Sequence, residues 1–302
     1  MQTTNNFDVI IVGGSYAGLA AAMSLGRSLR KVLVIDSGKP CNRQTPHSHN
    51  FLTQDGKTPY EIREIAKTQV LAYKTVSFIE DKADSGFKNE DTFFISTETG
   101  ATFSAKKVVF ATGIKDIMPN IKGFAECWGI SVVHCPYCHG YEIRHKKTGI
   151  IANGERAYHL APMVNNLTKD ICMLTNEPAT FSSEQLSKLR ENNLAIVEKK
   201  IVEVEHENGS VNTIVFEDGS KEKYDALYAA LPFVQHSDIP VNLGCELNEE
   251  GYIQVNAMYQ TTVEGVFACG DNAIKMRSLA NSIASGTMVG AVVNMELAKE
   301  QF

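Results

Sequence analysis

Two cysteines separated by two residues, Cys135-Pro136-Tyr137-Cys138, with His139 directly behind them, are the most reactive side chains at a chemically meaningful spacing in this 302-residue chain. A Cys-x-x-Cys pair can work as a redox dithiol, as half of a zinc site or, when a histidine comes next, as a covalent haem attachment point. The stretch CPYCHGYE leaves all three readings open. The elements that must position the pair have to decide among them.

The clearest of those elements lies at the other end of the chain, in FDVIIVGGSYAGLAAAMSLGRSLRKVLVID. An apolar strand over 9–12 runs into a turn carrying Gly13, Gly14 and Gly18. A helix of small residues follows, then a second strand over 32–35 that ends in Asp36. Strand, tight turn, helix and strand, with an acid about 20 residues past the glycines, is the dinucleotide-binding fingerprint. Gly13 permits the sharp turn and Gly18 lets the helix lie close on the sheet. The helix start offers unpaired N–H groups to a pyrophosphate, and Asp36 can accept hydrogen bonds from ribose hydroxyls. Ser15 stands where the pattern has its middle glycine; it is small enough for backbone approach.

Next come a predicted helix over 59–73, a strand over 76–80, strands in DTFFIST and ATFSA, and KKVVFATG, which ends in Ala111-Thr112-Gly113. The plan then recurs roughly 140 residues further on. TGIIANGERAYHLAPMV is strand, turn and helix start, and DICMLTNE is a second strand. SSEQLSKLRENN is a helix that Ser182 or Ser183 can cap. IVEVEHENGSVNTIVFEDGS is a hairpin about Asn208-Gly209. YDALYAALP closes this second copy, and the chain ends with GVFACGDNA and the small-residue helix SLANSIASGTMVGAVVNMELAKE.

Bulk properties narrow the class. The formal net charge of −6 argues against a nucleic-acid partner, which would require a basic stripe. No apolar run approaches the roughly 18–20 residues that span a bilayer, and the N-terminus lacks the cationic head and apolar core of a signal peptide. Seven irregularly spaced cysteines do not form a disulfide scaffold. A reducing cytoplasm is the expected location, where Cys-x-x-Cys is catalytic or metal-binding more often than structural.

Taken together, VGGSYAGLAA at the front, CNR at 41–43, ATG at 111–113, CPYC at 135–138 and GVFACGD at 265–271 resemble the low-molecular-weight thioredoxin reductase family of flavoproteins. CPYCHGYE with MRSLANSIASG is most similar to the branch of thioredoxin reductase-like proteins and dithiol oxidases of gliotoxin and holomycin type. The resemblance implies an α/β fold of two Rossmann-like three-layer dinucleotide-binding domains, the second inserted into the first. Residues 1–117 and 241–302 would form the FAD domain, and 118–240 a nicotinamide-type domain carrying the cysteines. It implies FAD contacts from Gly13, Gly14, Ser15, Tyr16, Ala17 and Gly18, and from Asp36, Asn42 and Arg43. Thr112, Gly113, Gly270 and Asp271 would contribute, with Arg277, Ser278 and Leu279 at the start of the last helix. His49 is a further candidate for flavin contact.

Within that frame the readings of the cysteine pair separate. A glutaredoxin, which shares the tetrapeptide, is about a third of this length and carries it soon after its first strand. Haem attachment follows export and has no use for two dinucleotide units. Zinc needs two further ligands, and His134 and His139 lie too close in sequence to complete a tetrahedron, so no metal is expected. A redox-active dithiol is the remaining reading. The family pattern makes Cys138 the flavin-facing thiol and Cys135 the one that attacks an outside disulfide. A helix starting at the pair would lower a thiol pKa, and Pro136 suits its first turn. His139 stands where the family has an acid and can shuttle the thiol proton; Glu142 is a second proton-handling candidate.

The nicotinamide half of the pattern is incomplete. In IIANGERAYH, Gly154 and Ala157 fit the later glycine positions, but Ala152 occupies the first. Thr175-Asn176-Glu177 stands where a basic cluster would hold a 2′-phosphate, so NADH fits the residues better than NADPH. Three functions are compatible with this: a reductase fed by NADPH or NADH; a disulfide reductase or dithiol oxidase without a working nicotinamide site; and a flavin-binding redox sensor. The expected partner is a thioredoxin-like protein or a small disulfide or dithiol, and the resemblance implies a homodimer.

Overall fold

The computed structural model describes residues 6–302. In chain order its elements are β1 (Asn6–Val12), α1 (Tyr16–Arg27), β2 (Val32–Asp36), α2 (Pro59–Leu71), β3 (Val76–Glu80), β4 (Ala83–Asn89), β5 (Thr92–Thr97), β6 (Thr102–Phe110) and β7 (Ile114–Asp116). There follow α3 (Phe124–Cys127), β8 (Val132–Val133), α4 (Pro136–His139), β9 (Thr148–Ile151), α5 (Gly154–Leu167), β10 (Ile171–Leu174), α6 (Ser183–Glu191) and β11 (Ala195–Val197). The chain continues with β12 (Ile201–Glu207), β13 (Ser210–Phe216), β14 (Lys221–Lys223), β15 (Ala226–Ala229), β16 (Phe233–Gln235), α7 (Ile239–Asn242), β17 (Val266–Ala268) and α8 (Leu279–Gln301).

These elements fall into two compact units. Unit 1 is the chain up to Arg43 together with Pro59–Lys115 and Phe233–Phe302; unit 2 is Gln44–Thr58 with Asp116–Pro232. In unit 1 the strands run β3-β2-β1-β6-β5-β4, with β17 also paired to β6. β1, β2, β3, β6 and β17 are parallel, and β4 and β5 add an antiparallel meander. Successive side chains of a strand point to opposite faces, so each central strand feeds two cores. Val9 and Ile11 of β1, with Val32 and Val34 of β2, pack under the α1 and α8 layer. Ile10, Val12, Leu33 and Ile35 join Phe93 and Ile95 of the meander on the other face. Both faces are buried, which is why these strands read as continuous apolar runs. α8 lies against α1 because Gly286 has no side chain: a Cβ there would come 2.1 Å from the Ala17 carbonyl oxygen.

Unit 2 repeats the three layers. Its sheet is β11-β10-β9-β15-β8, parallel throughout, beside the antiparallel meander β12-β13-β14. α5 and α6 cover one face, with Leu160, Val164 and Leu189 in that core. The meander covers the other, through Val204, Ile214 and Phe216. Ser182 caps α6 in a reciprocal capping box with Gln185. Asn208 and Gly209 both have positive φ, 50° and 82°, as a tight hairpin turn requires.

The helix expected at the cysteine pair begins there but is short. α4 is a single turn, with Cys135 as its N-cap and Pro136 at its first position. A helix this short sums few peptide dipoles, so dipole stabilisation of a thiolate is correspondingly small. Among the described residues no helix is long and apolar enough to cross a membrane.

Candidate active site

In unit 1 the first glycine turn opens on a cleft lined by Gly13, Ser15, Asp36, Lys39, Thr112 and His236 among others. The turn is built by exclusion of side chains. Gly13 has φ +104°, and a Cβ on it would lie 2.3 Å from the Ala111 carbonyl oxygen. Ser15 caps α1 without a side-chain hydrogen bond, so its hydroxyl does not occupy the helix start. Asp36, buried at the end of β2, accepts from the Gly14 N–H at 3.0 Å through Oδ1 and pairs through Oδ2 with Arg63 Nη2 at 2.6 Å. A carboxylate has about four acceptor positions, so Asp36 retains capacity toward the cleft. Open helix start, side-chain-free turn and terminal acid together fit the dinucleotide part of FAD.

The other candidates in unit 1 converge on neighbouring points. Tyr16 is buried and donates to the Pro59 carbonyl at 3.0 Å. Asn42 Nδ2 lies 3.5 Å from the Tyr16 hydroxyl, and Arg43 donates to the Pro40 carbonyl at 3.2 Å. Gly270 packs against Ala17, while Asp271 meets Cys41 Sγ at 4.0 Å, Ser282 Oγ at 3.4 Å and Arg277 Nε at 3.8 Å. Ser278 caps α8 by accepting from the Asn281 N–H at 3.1 Å, and Leu279 opens that helix. Gly18 lies within α1, and Gly113, with φ +67°, directly follows Thr112. Asn272, fully buried, donates to the Phe110 carbonyl at 2.9 Å and to Thr112 Oγ1 at 3.2 Å.

Arg63, His236 and Asn272 were not legible as site residues. Arg63 is one polar position on an ordinary amphipathic helix, and only the packing of α2 brings it to Asp36. Replacing it by Met should leave the Asp36 carboxylate buried and unpaired, at a cost of about 3 kcal/mol. Urea unfolding of Arg63→Met against the parent measures this.

In unit 2, Cys135 and Cys138 are both half-buried on the α4 turn. The N–H groups of Cys138 and His139 both donate to the Cys135 carbonyl at 3.3 Å. Both His139 ring nitrogens are buried without a side-chain or main-chain hydrogen bond of normal geometry. Burial holds this imidazole below its ordinary pKa, the Glu142 carboxylate opposes that shift and His49 adds to it. His139 is therefore neutral at pH 7 and able to accept a proton. Glu142 Oε1 lies 3.6 Å from His49 Nε2, and His49 Nδ1 lies 3.5 Å from Asp55 Oδ2. The structure thus brings His49, on segment 44–58 of unit 2, to Glu142 on the segment that carries the cysteines. Among the described residues no three His, Cys, Asp or Glu side chains are grouped as metal ligands.

The second glycine turn differs from the first. Asn153 caps α5, and its Oδ1 accepts from the N–H groups of both Gly154 and Thr180 at 2.9 Å. Its Nδ2 donates to the Pro178 carbonyl at 2.9 Å and to Glu177 Oε1 at 3.3 Å. Loop 177–180 is therefore tied over the helix start. Glu155 stands in the first turn, bonded to Gln185 Nε2 at 2.6 Å. A pyrophosphate would have to displace Asn153 and sit beside two carboxylates. These residues do not fit the pyrophosphate of a nicotinamide dinucleotide.

Two Rossmann-like units, one with an open dinucleotide cleft and the other with a Cys-x-x-Cys turn, define a flavin-dependent disulfide oxidoreductase. The Pyridine nucleotide-disulphide oxidoreductase family matches residues 7–286, and the chain belongs to that family. The chain is 33% identical over 308 residues to the thioredoxin reductase tcpT of Claviceps purpurea, covering 98% of this chain and 96% of that one. An oxidoreductase of Agrobacterium tumefaciens superposes with a TM-score of 0.91 at 35% identity, covering 97% and 99% of the two chains. The crystal structure of HlmI superposes with a TM-score of 0.93 at 26% identity, covering 100% and 95%. The protein is an FAD-dependent disulfide oxidoreductase of the thioredoxin reductase-like class. The family implies FAD and a nicotinamide cofactor.

Proposed function

We propose that the protein exchanges electrons between an external thiol pair and FAD through Cys135 and Cys138, without drawing them from a nicotinamide bound in unit 2. The observation that carries this reading is Asn153, whose side chain takes up the first N–H of α5 and ties loop 177–180, with Glu177, beside it. Unit 1 binds FAD, and residues 13–18, Asp36, Thr112 and Asp271 hold it. Bound FAD supplies two-electron exchange with the pair on one side and with oxygen or another carrier on the other. Cys135 is the sulfur that meets the external disulfide or dithiol, and Cys138 is its resolving partner. His139, neutral and buried, takes the proton of an incoming thiol. The partner is a small dithiol or a thioredoxin-like protein, in a cytoplasmic homodimer.

The family's usual direction, with NADPH or NADH reducing the flavin, is the second reading, and the intact β9-α5-β10 unit favours it. Anaerobic titration separates the two. Excess NADPH or NADH should leave the flavin absorbance unchanged over minutes, while dithiothreitol bleaches it and air restores it. Rapid stoichiometric bleaching by either nicotinamide would overturn the first reading in favour of the second.

A further inference from the structure

We infer that Tyr228 is a positioning residue for the dithiol, its hydroxyl being the buried donor that stabilises the Cys135 thiolate. This rests on the reading of Cys135 and Cys138 as the exchanging pair. Tyr228 lies on β15, only 1% exposed, and its hydroxyl makes no hydrogen bond among the described residues. It sits directly beneath the cysteine turn: a Cβ on Gly140 would come 3.0 Å from its oxygen. Gly140 in turn bonds back to the Pro136 carbonyl at 2.9 Å. The phenol responds electrostatically to Cys135 and to Glu142, with burial the larger influence and all three pushing its pKa upward. The hydroxyl therefore stays protonated throughout the working pH range, a donor and never a base.

A buried hydroxyl without a partner is costly, and phenylalanine would fill the same space without that cost. The cost is recovered if a partner acquires charge during the reaction. Cys135 does so. In the reducing direction the Cys135 thiolate attacks one sulfur of an external disulfide. A Cys135–substrate S–S bond forms, the external S–S bond breaks, and the departing sulfur leaves as a thiolate. In the oxidising direction one external thiolate attacks Cys135 of the Cys135–Cys138 disulfide, forming the mixed disulfide and releasing the Cys138 thiolate. The second external thiolate then attacks the substrate sulfur, the external S–S bond forms and Cys135 departs as the thiolate. Electrons balance in both directions, and Tyr228 transfers no proton in either. In the reducing direction the hydroxyl favours the thiolate form of Cys135 before it attacks. In the oxidising direction a hydrogen bond forms as charge gathers on the departing Cys135 sulfur, where a preorganised donor accelerates the step.

Around the pair, the titratable groups are His134, His139 and Glu142 on its own segment, His49 and Asp55 from segment 44–58, and Tyr228 from β15. From α5, Leu167 presents an apolar face to Gly140. Tyr228 is thus the donor whose protonation does not change as the histidines titrate.

Tyr228→Phe removes one oxygen and keeps the ring. Exchange with dithiothreitol, followed as anaerobic flavin bleaching, should slow by roughly tenfold to a hundredfold, the loss of one hydrogen bond to a charged group. In a Cys138→Ser background, alkylation of Cys135 by iodoacetamide, read on its own peptide by mass spectrometry, should shift about one pH unit more alkaline. The melting temperature should hold or rise, because an orphaned buried hydroxyl is gone. An unchanged rate and alkylation profile would overturn the inference. So would a clear fall in melting temperature with the alkylation profile unmoved, since the hydroxyl would then be structural. Failure of the dithiol reading itself shows differently, as turnover surviving in the single cysteine variants.

Discussion

Cys138→Ser is expected to retain its flavin and its fold and to lose disulfide turnover by on the order of 10³-fold or more. Cys135→Ser should match it. Thiol–disulfide exchange needs two sulfurs: one forms the mixed disulfide, and the other resolves it. A serine hydroxyl in either place forms no S–S bond and is a poor nucleophile at neutral pH. Both side chains sit on a one-turn helix that is only half-buried, so an oxygen for a sulfur costs little packing. The visible absorbance and melting temperature should therefore stay near those of the parent. Turnover with dithiothreitol and oxygen, or with a disulfide and a reduced donor, measures the loss. Near-parental turnover in either variant would remove the cysteine pair from the chemistry.

Gly13→Val is the second large effect, and it acts on the cofactor rather than on the sulfurs. The position combines φ +104°, which disfavours any β-branched residue, with a Cβ site 2.3 Å from the Ala111 carbonyl oxygen. That carbonyl belongs to the β6–Thr112 connection, so the valine must push the two halves of the cleft wall apart. The left-handed strain alone costs about 1–3 kcal/mol, and the overlap adds to it. Purified Gly13→Val should carry little or no flavin, read as the ratio of visible to ultraviolet absorbance, and should unfold at lower urea concentration. Retention of a full flavin complement would show that this turn does not face the cofactor.

The two variants also show which parts of the molecule local chemistry specifies. β1, α1 and β2 form where their periodicity places them, because a doubly buried parallel strand is apolar along its length and a glycine turn has few alternatives. The hairpin at Asn208-Gly209 and the Ser182 cap are equally local, each needing only residues within a few positions. α4 starts where the local reading places it, but its length was not legible. A proline after an N-cap marks where a helix begins, but the residues beyond it set the length, and here the helix ends after one turn.

Segment 44–58 presents the opposite case. It lies in sequence between β2 and α2 of unit 1, yet it belongs to unit 2, where His49 faces Glu142. No periodicity marks it, since its backbone turns through positive φ at Asn50, Thr53 and Gly56 instead of forming a regular element. The closure of the second glycine turn was half legible. Ala152 and Glu177 were visible departures, but the Asn153 hydrogen bonds to loop 177–180 join residues about 25 positions apart.

By itself the amino-acid sequence determined the repeated strand–turn–helix plan, the glycine turn between β1 and α1 and the spacing of the two thiols. Each of these depends on backbone geometry within a few residues. Tertiary structure decided that Arg63 holds Asp36, that Asn153 ties loop 177–180 to its helix start and that the Tyr228 hydroxyl lies against Gly140 of the cysteine turn. Such pairings are set by how layers pack, and the energy of a buried polar group depends on what lies across the layer from it.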